Sequence, residues 1–224
     1  MKSILLAFLF LAASSQIFGQ TSKIIYGLEY SPNFTGNNNP GSFYTNVDGS
    51  YDVNTNSGFR LAHNIFLKGG YRLATDLYAT AGIGYFTTRE FATIDLNGQL
   101  EIGKIESDRF HSYVMAPMGI KYYMGSFFIS PEVGIGWNTG NSSRDHFYYL
   151  DGSEIENKSD DEINLHDVNE MTYPVFMSFG NEIKMKNCSV ILGVKGYYSL
   201  NPIGNQYTNS GHYYGFGVVG GVQF

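Results

Sequence analysis

Between residues 127 and 138 the chain reads FFISPEVGIGWN, and apolar residues occupy every second position. The apolar set consists of Phe127, Ile129, Pro131, Val133, Ile135 and Trp137. Small or polar residues fill most of the positions between them, with Glu132 near the centre and Phe128 as the one aromatic. A period of two is the pattern of a β-strand whose two faces meet different surroundings. The stretch therefore predicts a strand with one apolar face and one polar face.

Seven further segments alternate in the same way, which gives eight predicted strands in total. They span about 24–32, 58–72, 77–88, 109–124, 172–185, 188–200 and 212–224. Nearly all are long enough for a tilted crossing of a bilayer, which takes about 9–11 residues. His63 falls on an apolar face, and Phe66, Phe176 and Ile191 fall on polar faces. We treat these four residues as exceptions to the pattern.

The predicted connections between the strands are alternately short and long. The short ones are 74–76, 125–126 and 186–187, and the long ones are 33–57, 89–108, 139–170 and 201–211. Short turns on a periplasmic rim and long loops on the other rim are typical of outer-membrane barrels. The fold expected is therefore all-β, an eight-stranded antiparallel up-and-down transmembrane β-barrel.

The beginning of the chain predicts export. Lys2 precedes an apolar run from Ile4 to Ala13, which is too short to cross a bilayer as a helix and favours a cleaved signal peptide over residues 1–19. Residues 20–224 would then form the barrel domain in a bacterial outer membrane.

Two features of the composition exclude other classes of protein. A single cysteine, Cys188, excludes an internal disulfide, and the net charge of −6 argues against nucleic-acid binding.

Aromatic residues concentrate near the ends of the predicted apolar faces, and aliphatic residues fill the middle. Those near the long-loop rim are Tyr30, Phe59, Tyr85, Phe110, Trp137, Tyr173, Tyr198 and Tyr214, and those near the short-turn rim are Tyr71, Tyr122, Phe127 and Phe224. An apolar band between two aromatic girdles is expected on a wall that faces lipid. The alternative is a soluble lipid-binding barrel with an aromatic core, which leaves the loop asymmetry unexplained.

The opposite face of the strands carries eight charged residues. They are Glu29, Arg60, Lys68, Arg72, Lys121, Glu132, Glu182 and Lys195. Because an unpaired buried charge is costly, opposite signs should pair inside the barrel. Eight strands enclose only enough space for side chains, so we expect a plugged polar lumen with a structural charge network. The functional alternative is a proton path or a gated ion path.

Three prolines test the strand assignment, because each removes a hydrogen-bond donor from a ladder. They are Pro117, Pro131 and Pro174. A closed barrel has no edge on which to place such a residue. We therefore predict a local bulge or a rim position at each proline.

Several segments resemble a known family in their order and spacing. They run from Gly58-Phe-Arg-Leu-Ala through Gly70-Tyr-Arg-Leu, then Tyr113 to Met124, Phe127 to Ile135, and the strand that ends at Phe224. Together they resemble the PorT-like small outer-membrane barrels of Bacteroidetes and, more loosely, OmpX-type and OmpA-type barrels. Pro117 followed by Lys-Tyr-Tyr at 121–123 fits the family, whereas Ser130-Pro131 departs from its Gly-Pro.

The resemblance implies an outer-membrane barrel that the barrel-insertion machinery recognises through its last strand. The residues that fit this insertion signal are Tyr214, Phe216, Val218, Val222 and Phe224. A part in secretion would rest on analogy of fold alone.

The sequence predicts no catalytic, cofactor-binding or metal-binding residues. The five histidines are scattered, and only His111 and His212 would lie near the long-loop rim, where a rim enzyme would need them.

The segment 141–170 is acidic, with only Arg144 and Lys158 as opposing charges. Its carboxylates are Asp145, Asp151, Glu154, Glu156, Asp160, Asp161, Glu162, Asp167 and Glu170. Their spacing does not match a calcium loop, so a solvated mobile loop is expected.

The leading hypothesis is a structural or surface-interaction barrel, with outer-membrane lipid as its surroundings. The loops 33–57 and 139–170 would carry any extracellular ligand, because irregular loops on a rigid scaffold are where binding usually occurs. The alternatives are a small channel or an accessory of transport or secretion, a rim enzyme, and the soluble lipid-binding barrel.

Overall fold

The computed structural model describes residues 23–38, 52–97, 102–160, 169–202 and 211–224. The predicted signal segment, residues 1–19, lies outside these ranges, as do the middle of the first predicted loop and most of the last. Among the described residues no helix is long and apolar enough to cross a bilayer.

The described part of the chain contains eleven strands and no helix. They are β1 (Ile24–Asn37), β2 (Asp52–Gly58), β3 (Arg60–Ala74), β4 (Leu77–Asn97), β5 (Ile102–Met124), β6 (Phe127–Tyr149), β7 (Glu154–Asp160), β8 (Met171–Thr172), β9 (Pro174–Lys184), β10 (Ser189–Ser199) and β11 (Tyr213–Gln223).

Eight of these strands form a closed ring in which every neighbouring pair is antiparallel. The order around the ring is β1, β3, β4, β5, β6, β9, β10 and β11. The ring closes where β1 pairs with β11, for example at Leu28 opposite Val222 and Phe34 opposite Phe216. The predicted eight-stranded up-and-down transmembrane β-barrel is confirmed.

The two faces of the strands are the predicted ones. Ile83, Val194 and Val218 are more than half exposed on the outer wall, whereas Lys195 and Ser178 on the inward positions are only 2% exposed. So large an apolar outer surface would be unfavourable in water and matches a hydrocarbon environment. His63 does lie outside, where its Nδ1 is 2.7 Å from the Tyr30 hydroxyl.

The short connections are tight turns, as the sequence predicts. They lie at Thr75–Asp76, Gly125–Ser126 and residues 185–188, and they join neighbouring ring strands on the same rim. Gly125 has a φ of 68°, a conformation that glycine adopts without a steric penalty. Cys188 lies in the third turn, where its carbonyl accepts a hydrogen bond from the Met185 amide.

The prolines behave differently from one another. Pro174 begins β9 next to the long-loop rim, as predicted. Pro117 and Pro131 lie within strands, and the prediction of a bulge there is wrong. One ladder at each proline, β4 with β5 at Pro117 and β5 with β6 at Pro131, skips the pairs around it and keeps the same register on both sides of the gap. The other ladder of each proline runs through without a gap. Losing one N–H donor therefore interrupts the pairing without adding a residue to the strand.

The predicted long loops 89–108 and 139–170 are largely strands, which corrects the expectation of a solvated mobile loop. In the described ranges β4, β5 and β6 continue beyond the aromatic girdle and form a five-stranded antiparallel sheet with β2 and β7, in the order β2-β4-β5-β6-β7. One row of paired residues crosses it through Ile94, Ile105, Phe147 and Ile155. We call this part the projecting sheet.

The centre of the barrel is filled by rings rather than by polar groups alone. The cluster, which we call the aromatic plug, consists of Phe66, Phe86, Tyr113, Met115, Phe176, Tyr197 and Tyr213. The Phe86 and Tyr197 rings lie 5.0 Å apart and meet edge to face, a favourable geometry for aromatic pairs. The predicted lumen of polar side chains is therefore only partly right, and Phe66 and Phe176 are members of a core rather than exceptions.

Glycines on the inner wall provide the space for these rings. A Cβ on Gly215 would overlap the Tyr197 ring, and one on Gly134 would come within 2.9 Å of the Phe176 ring. Gly220, on the outer wall of the same strand as Gly215, has no atom closer than 3.9 Å to such a Cβ. Small residues opposite large ones thus fit the plug into a narrow barrel.

We predict that Gly215→Ala destabilises the barrel by about 1–3 kcal/mol, because the added methyl group overpacks the plug. Gly220→Ala, which adds the same group on the lipid side, should leave stability nearly unchanged. Urea unfolding in lipid vesicles, followed by the difference in gel migration between unheated and boiled samples, measures both. Equal effects of the two substitutions would contradict this packing.

Candidate functional site

Four of the eight predicted lumen charges meet inside the barrel. Lys68 Nζ lies 2.7 Å from Glu132 Oε1 and 3.0 Å from Glu29 Oε2, and Lys195 Nζ pairs with Glu29 Oε1. Lys195 also lies 3.9 Å from Glu132 Oε2. The four residues come from β1, β3, β6 and β10, so the ion pairs join opposite walls of the ring. We call them the lumen quartet.

The lumen quartet is electrically balanced and largely buried. Two ammonium groups face two carboxylates, and the side chains of Lys195 and Glu132 are 1% and 2% exposed. Lys195 Nζ also lies 4.7 Å from the centre of the Phe66 ring and 4.9 Å from that of Phe176, so the quartet touches the aromatic plug. At this burial each charge depends on its partners, because a lone ion would lose its hydration without compensation.

Lys121 and Glu182 lie closer to the short-turn rim and are held differently. Lys121 Nζ donates to Gln223 Oε1 at 3.2 Å and lies 4.4 Å from the centre of the Phe128 ring. The Glu182 carboxylate contacts the Tyr123 hydroxyl. Both residues are buried, and both lie inside the barrel.

The remaining two predicted charges do not join the lumen quartet. Arg72 is exposed and donates to the carbonyls of Ala74 and Thr75 in the first turn. Arg60 lies at the opposite end, with its guanidinium 3.7 Å from the centre of the Phe91 ring and 3.6 Å from Asp108. Both have the predicted strand assignment, but they lie too near the rims to reach the quartet.

A second buried polar layer lies on the long-loop side of the aromatic plug. Glu90 Oε2 accepts from Asn37 at 2.7 Å, and His111 Nδ1 lies 2.7 Å from Asn141 Oδ1. His111 Nε2 and Glu90 Oε1 are 3.9 Å apart. His212, the other histidine considered for a rim enzyme, instead stacks on Tyr198 and contacts the Ser199 carbonyl.

The projecting sheet carries its own charge pairs. Arg89 binds both carboxylate oxygens of Asp108, at 2.8 and 2.7 Å, and Arg144 lies 3.2 Å from Glu156. The Lys104 ammonium, hydrogen-bonded to Glu106, holds the pKa of that carboxyl below its ordinary value. This pairing therefore persists at neutral pH and weakens only as the pH falls through the lowered pKa.

The acidic segment shows no metal centre in its described part. Among the described residues no group of three His, Cys, Asp or Glu side chains could hold an ion. Asp151 instead accepts from the amide and the hydroxyl of Ser153 in the turn between β6 and β7. Asp161, Glu162 and Asp167 lie outside the described residues.

Four residues of the predicted insertion signal share one face of β11, and the fifth, Phe224, directly follows the strand. Phe216 and Val218 are exposed on the outer wall, and Tyr214, Val222 and Phe224 alternate with inward residues in the same way. The Phe224 ring stacks on Tyr26 of β1 at 5.8 Å. The last strand thus presents an apolar outer surface as far as the end of the ring.

These features define the class of the protein, a transmembrane β-barrel of the small outer-membrane type. Solved structures with a similar fold include Ail of Yersinia pestis, crystallised with the heparin analogue sucrose octasulfate (10% identity, TM-score 0.40, 91% of this chain and 100% of that chain). Another is the outer membrane protease OmpT of Escherichia coli (10%, 0.43, 92% and 97%), and a third is OprG of Pseudomonas aeruginosa (11%, 0.36, 89% and 95%).

No protein-family model matches the chain, and no curated protein is found to be similar to it. The resemblance to PorT-like barrels therefore stays a prediction. Likeness at these identities concerns the fold and carries nothing about ligand or activity.

We predict that Lys195→Met destabilises the barrel by about 3–5 kcal/mol, because Glu29 loses one of its two buried partners. The double variant Glu29→Gln/Lys195→Met should lose clearly less than the sum of the two single variants, because it removes both members of the pair. Urea unfolding in lipid vesicles supplies the four stabilities of the cycle. Lys184→Met, at the exposed end of β9, is the matched control, and additive losses in the cycle would contradict the pairing.

Proposed function

We propose that this protein is an outer-membrane scaffold that displays the projecting sheet at the cell surface. Its barrel anchors the chain in lipid, and its lumen serves as a packed core rather than as a passage. The observation that carries the proposal is that β4, β5 and β6 run on past the aromatic girdle as paired strands. A rigid surface of this kind suits recognition, since its side chains are held in fixed positions.

The surface of the projecting sheet favours a polar partner. Arg89, Asp108, Lys104, Glu106 and Tyr148 form charged and aromatic contacts on neighbouring strands. Such a mixed surface offers hydrogen bonds and charges of both signs, which give specificity more than raw affinity. The extracellular ligand expected at 33–57 and 139–170 would thus meet ordered strands over the described parts of both segments.

The orientation of the barrel can be tested by cysteine labelling in a Cys188→Ser background. We expect Ser153→Cys, exposed in the turn between β6 and β7, to react with a membrane-impermeant maleimide on intact cells. Ser126→Cys, also exposed, in the turn between β5 and β6, should react only after the outer membrane is permeabilised. The reverse pattern, or labelling of both sites on intact cells, would refute a surface display of the sheet.

The channel alternative makes the opposite prediction for the lumen. The aromatic plug and the lumen quartet lie across the same narrow interior, which supports a closed barrel. We expect no single-channel steps from the purified protein in planar bilayers. Quenching of Trp137, the only tryptophan and an outward-facing residue, by brominated lipid verifies insertion. Steady conductance steps would contradict the scaffold proposal and show that the protein is a channel.

A further inference from the structure

A small chamber opens inside the barrel towards the short-turn rim. Its volume is about 40 Å³, more than the roughly 10–15 Å³ that a single water requires. Its walls include Ile25, Gly70 and Gln223, which lie near the ends of their strands, and further inside Thr80, Lys121 and Ser178. The chamber therefore has an entrance from the side of the short turns and a polar inner end next to the lumen quartet.

Lys121 is the one lysine of the chamber that lacks a carboxylate partner. Among the described residues no carboxylate comes within ion-pairing distance of its Nζ, whereas Lys68 and Lys195 each contact Glu29 and Glu132. Its one hydrogen-bond acceptor is the neutral Gln223 side chain at 3.2 Å. An ammonium group has three protons to donate, so Lys121 keeps donors available.

Two hydroxyl groups add further donors to the same space. Ser178 is 2% exposed, and its Oγ has no hydrogen-bond partner among the described residues. The same holds for Thr80 Oγ1, which lines the chamber from β4. Buried hydroxyl groups without a hydrogen-bond partner are uncommon in proteins, so a ligand or an ordered water is expected beside them.

The hydrogen-bond donors left over in the chamber favour an anion over a cation. The charged residues of the wall are Lys68 and Lys121 against Glu29 and Glu132, so the wall has no net charge, and the preference comes from the donors of Lys121 and the two hydroxyl groups. Lys195 and Glu182 lie outside the wall, and the Glu182 carboxylate, which contacts Tyr123, attracts Lys121 from a longer distance. Both carboxylates of the quartet already contact two ammonium groups, so a metal cation would have to displace a lysine.

We propose that this chamber binds a small monovalent anion, held by the Lys121 ammonium and the hydroxyl groups of Ser178 and Thr80. Chloride and a small carboxylate such as formate share the required chemistry, a single negative charge that accepts several hydrogen bonds. The anion enters from the short-turn side and goes no further than the lumen quartet, because the aromatic plug closes the lumen beyond the quartet. The site goes beyond the proposed surface function and does not depend on it.

The test uses the full-length mature protein, folded in detergent micelles. Its thermal unfolding midpoint is measured in rising sodium chloride, with sodium gluconate added to hold the ionic strength constant. We expect the midpoint to rise and to saturate with chloride, because a ligand that binds only the folded state stabilises it. Formate in place of chloride separates the two sources, and the stronger response identifies the preferred anion.

Lys121→Met is the diagnostic variant, and it should weaken the apparent affinity by about tenfold or more, since a charged hydrogen bond is lost. Lys184→Met, at the exposed end of β9, should retain the full chloride response. If Lys121→Met does not fold, Ser178→Ala takes its place with a smaller loss of affinity. A crystal soaked in bromide should show an anomalous peak within the chamber.

Three outcomes would overturn the site. The first is a thermal unfolding midpoint of the wild-type protein that does not change with chloride or formate. The second is a chloride dependence of the midpoint that is the same in Lys121→Met or Ser178→Ala as in the wild type. The third is a chamber that holds only water in bromide-soaked crystals.

Discussion

The hydrogen-bonded seam between β1 and β11 is the constraint on which the whole structure depends. In hydrocarbon each backbone N–H and C=O must find a partner within the protein, and a sheet achieves this only by closing on itself. Leu28 opposite Val222 and Phe34 opposite Phe216 complete the ring. With eight strands the ring is narrow, so closure also fixes how much side-chain volume the interior must hold.

That fixed volume explains the unusual interior. Rings such as Phe86, Phe176 and Tyr197 fill the middle of the barrel, and glycines such as Gly215 stand opposite them. Charges are tolerated beside these rings only because they are neutralised within a few ångströms, as in the lumen quartet. The interior thus combines an apolar core with a balanced ionic layer, and the two layers share contacts through Lys195 and Phe66.

The sequence predicts the face of a residue well, because the period of two follows directly from strand geometry. The period of two predicts Glu29, Lys68, Glu132 and Lys195 inside the barrel, where the structure has them. Alternation carries no information about depth, so it also predicts Arg60 and Arg72 inside, although they lie at the two rims. Phe86, Tyr113 and Tyr197 have the parity of the inward positions too, and this parity is the sequence signal of the plug that a prediction from charged residues alone misses.

The strands of the projecting sheet are not predicted from the sequence, for a different reason. Beyond the girdle neither face of a strand is in contact with lipid, so charged residues occur on both faces and the alternation fades. A register shift near Ser112 and Tyr113 also changes the parity of β6 relative to β5 just where the sheet leaves the barrel. Pairing persists there through the backbone and through cross-strand contacts such as Arg89 with Asp108, which a single-strand pattern does not reveal.

The seam between the first and the last strand also governs the order of events during folding. β1 finds its second neighbour only in β11, at the opposite end of the chain, so the ring cannot be completed until almost the entire polypeptide is present. Contacts between distant segments are slow to form because the intervening chain must first lose its freedom. The nascent protein therefore carries apolar, unpaired strands for most of its maturation, a period in which it depends on being kept from aggregating.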